Sequence, residues 1–284
     1  MTSPAPPPPA PQVAAPPGGR LLSIAKIGAE RLLWARVGVQ RRLEARRGTT
    51  RPLPASVPPT DVLRTAAQWQ GAVSEARRLR LPLHRDQPKN WDALGAVGAV
   101  LALGGRGGAL PRRVMDAGSA RYSSVLPWLR LYGVGDEVGD LLSINLEFGA
   151  PVHRDGVTFR QGDVTATGLA AGSLDAITCM SVIEHGVPLQ GFLAESARVL
   201  RPGGVLCVST DYDQDPPDTT GVTAYGTAVR IFGPDDIRAF IADAARVGLE
   251  LVGGEPDFAH TERPVHWKRT GLDYTFILLT FRRA

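Results

Sequence analysis

Apolar positions along this chain fall into two rhythms. From Val114 onward, short apolar runs alternate with longer stretches in which apolar residues recur every three or four positions. The short runs predict strands at Val114–Asp116, Leu141–Leu146, Val157–Gln161, Leu174–Met180 and Gly204–Thr210. The longer stretches predict helices over Ser123–Tyr132 and Pro188–Leu200. A further amphipathic helix spans Pro234–Val247, with strands following at Leu249–Gly253 and Tyr274–Phe281. Strands that are apolar throughout are buried on both faces, and alternation with helices implies a parallel sheet. Right-handed crossovers then make it doubly wound.

Before Val114 the pattern is helical. Thr60 or Asp61 is placed to cap a helix running to Arg78, and Asn90-Trp91-Asp92 opens another that stops before Gly104-Gly105. Residues 1–19 are almost all Pro, Ala and Gly and lack the apolar side chains that offset ordering entropy, which predicts a disordered tail. Over residues 20–47 the chain favours helix, with Leu21, Ile24, Leu32, Val39 and Leu43 among Arg31, Arg36, Arg41, Arg42 and Arg46. Such a helix suits peripheral contact with an anionic membrane, or packing onto its own domain or onto a partner. Prolines from Arg51 to Pro59 mark a linker. The expected organisation is a tail over 1–19, a basic helix and linker over 20–59, a helical extension over 60–105, and one α/β domain over 106–284.

Charge sharpens that division. The formal net charge is +4, yet residues 1–113 hold 18 Lys and Arg against 6 Asp and Glu, whereas residues 114–284 hold 14 against 22. An acidic α/β domain argues against a nucleic-acid groove on it. Cys179 and Cys207 sit inside apolar runs and read as buried thiols, not as a disulfide framework or metal site. The apolar run Leu94–Leu103 is half the ~20 residues a membrane span requires. Met1–Gly19 has neither the basic start nor the apolar centre of a signal peptide, so a cytoplasmic location is expected.

Four segments carry the candidate chemistry: VMDAGSARYSS with Asp116 and Gly118, LLSINLE with Asn145 and Glu147, FRQGDV with Asp163, and SLDAITCMSVIEH leading to RVLRPGGVLCVSTDY. In this order they resemble the class I S-adenosylmethionine-dependent methyltransferases. The resemblance covers about Lys89 to Arg283 and implies a Rossmann-like doubly wound sheet, mostly parallel with an antiparallel last strand, preceded by N-terminal helices. It implies S-adenosyl-L-methionine as cofactor, lying across the carboxyl ends of the strands.

The implied ligand contacts follow the motifs. Gly118 lets backbone approach the methionine portion, and Asp116 orients that loop or holds the ammonium through water. Glycines usual later in this turn are replaced by Ala120 and Tyr122, followed by Ser123 and Ser124. The family's ribose-binding acid falls on Asn145. Glu147, two residues on, is the preferred ribose ligand because a carboxylate accepts two hydrogen bonds from a diol. Asp163 and the Val164 amide would take adenine, unless Asp163 only closes an Asx turn. Ser181 would line the pocket. His185 stands at its mouth as general base, or Glu184-His185 caps the next helix. Asp211 and Tyr212 would orient the acceptor, with His260 and His266 in a covering insertion. Asp211, Asp213, Asp215 and Asp218 read as a solvated loop in preference to a divalent-metal site, so no metal is expected.

KNWDALGA, CMSVIEHG, STDYDQDP and GLDYTFILLTFRR further resemble a bacterial methyltransferase-domain subgroup that accompanies glycosyltransferases and polysaccharide biosynthesis. That implies O-methylation of a glycan or other small hydroxylated acceptor. The alternative is a non-catalytic methyltransferase-like fold serving as a binding or partner module. A nicotinamide oxidoreductase is a poorer third reading, since no full GxGxxG turn is present.

Overall fold

The computed structural model describes residues 19–48, 50–135, 137–224 and 226–284, with backbone alone for 19–27 and 29. The expected tail over 1–19 lies outside the described residues except for its last position.

Strands β2 (Val114–Ala117), β3 (Leu141–Asn145), β5 (Val157–Gln161), β6 (Leu174–Met180) and β7 (Leu200–Tyr212) run parallel in the order β5-β3-β2-β6-β7. Positions on β2, β3, β6 and β7 are buried almost throughout, which is why these strands read as mostly apolar runs, whereas β5 buries only Val157 and Phe159 and alternates. The last long strand, β12 (Leu272–Arg283), pairs antiparallel with β7, as the resemblance implied. It also takes β1 (Asp61–Val62), β10 (Leu249–Leu251) and β11 (Val265–Trp267) as antiparallel partners. At the opposite edge β4 (Val152–Arg154) folds back on β5. Strands β8 (Thr223–Ala224) and β9 (Thr227–Ala228) form a separate small hairpin.

Helices cover both faces and define two cores. On one face α3 (Lys89–Leu103) lies against β7, β12 and β6, backed by α2 (Ala66–Arg78), with α4 (Val125–Leu131) beside it. On the other face α5 (Leu189–Val199) and α6 (Pro234–Arg246) enclose a core that includes Ile177, Phe192, Phe232 and Phe281. Helix α3 is apolar all round because it sits between α2 and the sheet. Gly95 brings it close, since a Cβ there would come within 2.5 Å of Leu278 and 2.7 Å of Val57.

The N-terminal segment departs from its expected form. Residues expected to begin a helix at Thr60 or Asp61 instead make β1, and α2 begins after Thr65 in a capping box with Gln68. The Asp61–Val62 pair gains backbone partners on β12, which a helix there would forfeit. Residues 60–105 therefore contribute an edge strand as well as helices. Elsewhere β4 was missed because three half-exposed residues carry no apolar run. β7 starts at Leu200, four residues early, and runs through Pro202-Gly203-Gly204 with an irregular register against β6. Helix α4 starts at Val125, two residues later than expected.

Helix α1 (Gly19–Arg47) docks on its own domain through its described side chains. Trp34 and Val37 are buried in the core shared with α4, and Trp34 packs edge-on to Phe159 at 5.8 Å. The Trp34 indole donates to the Arg121 carbonyl at 3.3 Å. Arg41 donates twice to Asp155, at 2.9 and 3.3 Å. No helix of the described residues is long and apolar enough to cross a membrane.

Trp34→Ala should release α1 without unfolding the sheet. The lost ring costs about 3–5 kcal/mol of packing by analogy with core truncations, more than an exposed ion pair of 0.2–1 kcal/mol restores. Hydrogen exchange should then accelerate at α1 amides while β7 amides keep their protection. Equal acceleration in both would mean that α1 is part of the cooperative core.

Candidate functional site at the carboxyl ends of the strands

The parallel strands bring most of the sequence-predicted residues to one end of the sheet. After β2 the chain runs to β3 and β5, then crosses to β6 and β7, so the order reverses between β2 and β6. Such a switch point opens a crevice beyond the strand ends. Gly118 and Ser181 stand on either side of it. Both adopt left-handed backbone, with φ of 75° and 51°. Gly118 tolerates this at no cost, whereas Ser181 holds it against a steric penalty, a form of strain found at functional turns. A Cβ on Gly118 would lie 2.4 Å from the Val182 side chain, so the glycine lets the two turns close on each other.

Asp116 is buried beneath this turn and accepts from Thr178 at 2.8 Å and Ser123 at 3.1 Å. Burial raises its pKa to about 6 despite these donors. Through Ser123 it ties down the loop that carries Ala120 and Tyr122. Asn145, at the end of β3, donates to the carbonyls of Gly118 at 2.8 Å and Ser119 at 3.3 Å. Its side-chain oxygen accepts the Glu147 amide at 2.8 Å. The polar atoms of Asn145 thus brace the loop. Glu147 lies in the turn beyond β3, not on the strand as expected, because β3 ends at Asn145. Its carboxylate is exposed at the same end of the sheet.

Asp163 closes an Asx turn, accepting from the Thr165 amide and hydroxyl at 2.7 Å each. Val164 is half-buried against the core on the α5 side. Tyr212 is not brought to the crevice. It is fully buried on the opposite sheet face from Asp211, its hydroxyl donating to the Phe258 carbonyl at 2.8 Å. Strand alternation accounts for this, since neighbours on β7 point to opposite faces.

A buried polar cluster sits at the ends of β6 and β7. The Lys89 amine, at the start of α3, contacts the Ser181 hydroxyl and lies 4.1 Å from the centre of the Phe276 ring. Asp92, one turn along, accepts from Ser209 at 2.7 Å. Glu184 and Asp211 are 1% and 2% exposed. One Glu184 oxygen accepts from Thr210 at 3.1 Å. The other, Glu184 Oε1, and Asp211 Oδ1 have no hydrogen-bond partner among the described residues. The Tyr274 hydroxyl and the Glu184 carboxyl both lie against Asp211.

Burial pushes these carboxyls up. Asp211 rises to about 6 and Asp92 is also raised, each opposed first by the charge of Lys89. Glu184 rises well above the usual range through burial and then through the charge of Asp211. Like charges so close favour one shared proton between them. The Glu184–His185 pair does not cap the next helix. Pro188 precedes α5 with no side-chain cap, and Glu184 turns inward to Thr210. His185 packs edge-on to Trp267 of β11 at 6.1 Å. Burial, and then the charge of Lys89, lower its pKa below 6.5, so its imidazole is neutral at physiological pH.

Lys89, Asp92 and Tyr274 were missed by the sequence reading because they lie outside the strand-end motifs. KNWDALGA and GLDYTFILLTFRR did contain the signal, namely ionisable or phenolic residues inside apolar stretches. The covering insertion is further off. His260 is held by the Asp213 and Gln214 segment, Asp213 also takes Arg263 at 2.5 Å, and His266 meets Asp273 at 2.8 Å on an exposed face. Asp218 accepts from the Thr220 amide at 2.9 Å, in a turn.

Residues 119–208, about a third of the chain, match a family model described as a methyltransferase domain. Sterol 24-C-methyltransferase from Debaryomyces hansenii is 31% identical over 119 residues, covering 40% of this chain and 31% of that protein. The chain thus spans about a third of the length of this curated relative. Among solved structures, geranyl diphosphate C-methyltransferase from Streptomyces coelicolor A3(2), in complex with Mg2+, geranyl diphosphate and S-adenosyl-L-homocysteine, is 16% identical with a TM-score of 0.49, covering 78% of this chain and 85% of that one. An S-adenosylmethionine-dependent methyltransferase from Mesorhizobium loti is 17% identical with a TM-score of 0.48, covering 68% and 98%.

Asp211 gives the cluster a measurable signature. Burial pushes its carboxyl up to about 6 when folded, against 3.8 ordinarily. Stability from its protonated form is complete below the unfolded value and is lost as pH rises through the folded one. Asp211→Asn should therefore gain stability relative to the unaltered chain as pH rises from about 4 to about 6, by about 1–3 kcal/mol in denaturant unfolding, with no further gain above that. Parallel stability curves would mean that Asp211 is already ionised across that range.

Proposed function

We propose that this chain is an S-adenosylmethionine-dependent methyltransferase acting on a hydroxyl oxygen of a glycan or other small hydroxylated acceptor. The observation that carries the reading is the reversal of strand order between β2 and β6, with left-handed turns at Gly118 and Ser181 and a buried carboxyl cluster at the same strand ends. The match of residues 119–208 to a methyltransferase domain supports the same chemistry.

The residues present suit the cofactor. The half-buried, left-handed Gly118 turn lies at the strand ends, Glu147 offers an exposed carboxylate to a ribose diol, and Asp163-Val164 follows β5, where an adenine edge would lie. The orphaned oxygens of Glu184 and Asp211 favour a positive charge nearby. When bound, the cofactor supplies an electrophilic methyl on a sulfonium.

The protein's own work is to hold the acceptor in line, exclude water and take its proton. His185, kept neutral, is assigned the proton-accepting role. Asp211, steadied by Tyr274 and Glu184, is assigned the orientation of the acceptor hydroxyl. The polar groups of Lys89, Ser181, Asp211 and Tyr274 at this end of the sheet suit a small hydroxylated acceptor better than the largely apolar ring system of the sterol named for the Debaryomyces hansenii relative.

Calorimetry with S-adenosylhomocysteine tests the cofactor assignment. Glu147→Ala should weaken binding at least tenfold with an unchanged melting temperature, since two charge-assisted hydrogen bonds of ~1.5–3 kcal/mol each are lost and no folded-state contact is. Asn145→Ala should lower both, because it frees the Gly118 carbonyl. Failure of the unaltered chain to bind would overturn the reading in favour of a non-catalytic module.

With an acceptor in hand, His185→Ala should leave cofactor affinity within a few-fold and lower turnover by about 10²–10⁴. Turnover of the unaltered enzyme should decline only as pH falls below the ordinary imidazole value of 6.5, because the depressed pKa preserves the basic form down to that point. Near-normal turnover in the variant would move the proton-accepting role to the Glu184–Asp211 pair.

A further inference from the structure

Helix α1 is apolar on two sides. Its inner side carries Trp34 and Val37 into the core. Its outer side leaves Leu32, Val39 and Leu43 at 72%, 55% and 43% exposed. At about 100° per residue these three fall within an arc of about 40°, forming one stripe along the helix. Exposed arginines flank it: Arg36 and Arg47 on one side, Arg31, Arg42 and Arg46 on the other. Glu30 and Glu44, the acids of α1, both turn inward, Glu30 buried beside Arg154 at 3.3 Å and Glu44 held by Arg51 at 2.7 Å. Among the described side chains, the outer side therefore carries five arginines, no carboxylate of α1 and a central aliphatic stripe.

We propose that this face of α1 binds the surface of an anionic lipid bilayer, lying in its plane. The cross-section fits that partner: aliphatic side chains reach the acyl boundary while arginines on both flanks meet lipid phosphates. Docking through Trp34, Arg41 and Glu44 presents the face as a preformed helix, so no folding cost accompanies binding. Inward pairing of both acids leaves the basic charge undiluted on the outer side, which raises its attraction to a negative surface. The same segregation explains why α1 shows a weak helical hydrophobic pattern. Two opposed apolar stripes cancel, and only the fold reveals which one is spare.

The test is co-sedimentation of the full chain with vesicles of phosphatidylcholine and phosphatidylglycerol, beside pure phosphatidylcholine vesicles. Expected are binding to the anionic vesicles at low salt, release as salt rises, and little binding to the neutral ones. Leu32→Ser/Val39→Ser/Leu43→Ser and, separately, Arg36→Glu/Arg46→Glu should each lower the apparent partition about tenfold or more at an unchanged melting temperature. All five positions are exposed, so the fold should survive both sets. No binding to anionic vesicles, or binding that either set leaves unchanged, would overturn the proposal. Retention by soluble polyglutamate but not by vesicles would overturn it as well and point to an acidic protein partner. Cofactor binding is unaffected by either variant set, so the outcome is independent of the catalytic reading.

Discussion

Buried carboxyl groups crowd one end of the sheet, and the arrangement of the site depends on how their charge is contained. Asp116, Asp92, Glu184 and Asp211 are all nearly inaccessible to solvent. Burial of four ionised carboxylates would cost far more than any packing around them returns. Containment comes from three sources. Hydroxyl donors on Ser123, Thr178, Ser209 and Thr210 serve them. Lys89 supplies one positive charge, and the proton that Glu184 keeps, its carboxyl being raised well above the ordinary range, removes one negative charge. This is an expensive way to fill a core, and an apolar core of the same volume would be more stable. Its retention at the switch point of a parallel sheet suits chemistry that introduces a positive centre there.

Helix α3 makes the arrangement workable. Its first turn holds Lys89 and Asp92, and its remaining length is apolar and wedged between α2 and the sheet. Gly95 sets the depth of the wedge against Leu278, so a change in that packing would move Lys89 relative to Ser181 and the carboxyls. Fold and electrostatics are thus joined through one helix, and the N-terminal segment is part of the site, not an appendage.

The fold was largely legible because burial on both faces writes most of the parallel strands as apolar runs, and β5 as an alternation of Val157 and Phe159 with polar residues. Val114–Ala117, Val157–Gln161 and Leu174–Met180 could be bounded to within a residue. What escaped was held by tertiary contact. Asp61–Val62 is a strand only because β12 offers it an edge, and β4 only because it folds back on β5. The candidate site was legible where a motif sits at a strand end, as with Gly118, Asn145 and Ser181. It was not legible where a residue reaches the crevice from a distant element, as Lys89 and Tyr274 do. Tyr212 shows the opposite failure. Its position beside Asp211 suggested a shared role, and the two-residue period of β7 sends it to the other core.

Asn145 shows how a departure from a motif can be absorbed. A carboxylate at the end of β3 would have placed a further charge near Asp116, whose pKa burial already raises. An amide can donate instead, and Asn145 uses that capacity to bind the Gly118 and Ser119 carbonyls. The loop that lacks its later glycines is thereby held from one side by Asn145. From the other it is held by Ser123 on Asp116 and by the Trp34 indole on the Arg121 carbonyl. A turn with fewer glycines needs such external bracing, since Ala120 and Tyr122 restrict the backbone paths that glycine would open. The basic helix α1 therefore also serves the loop it covers, and its docking and the shape of the crevice are two ends of one set of contacts.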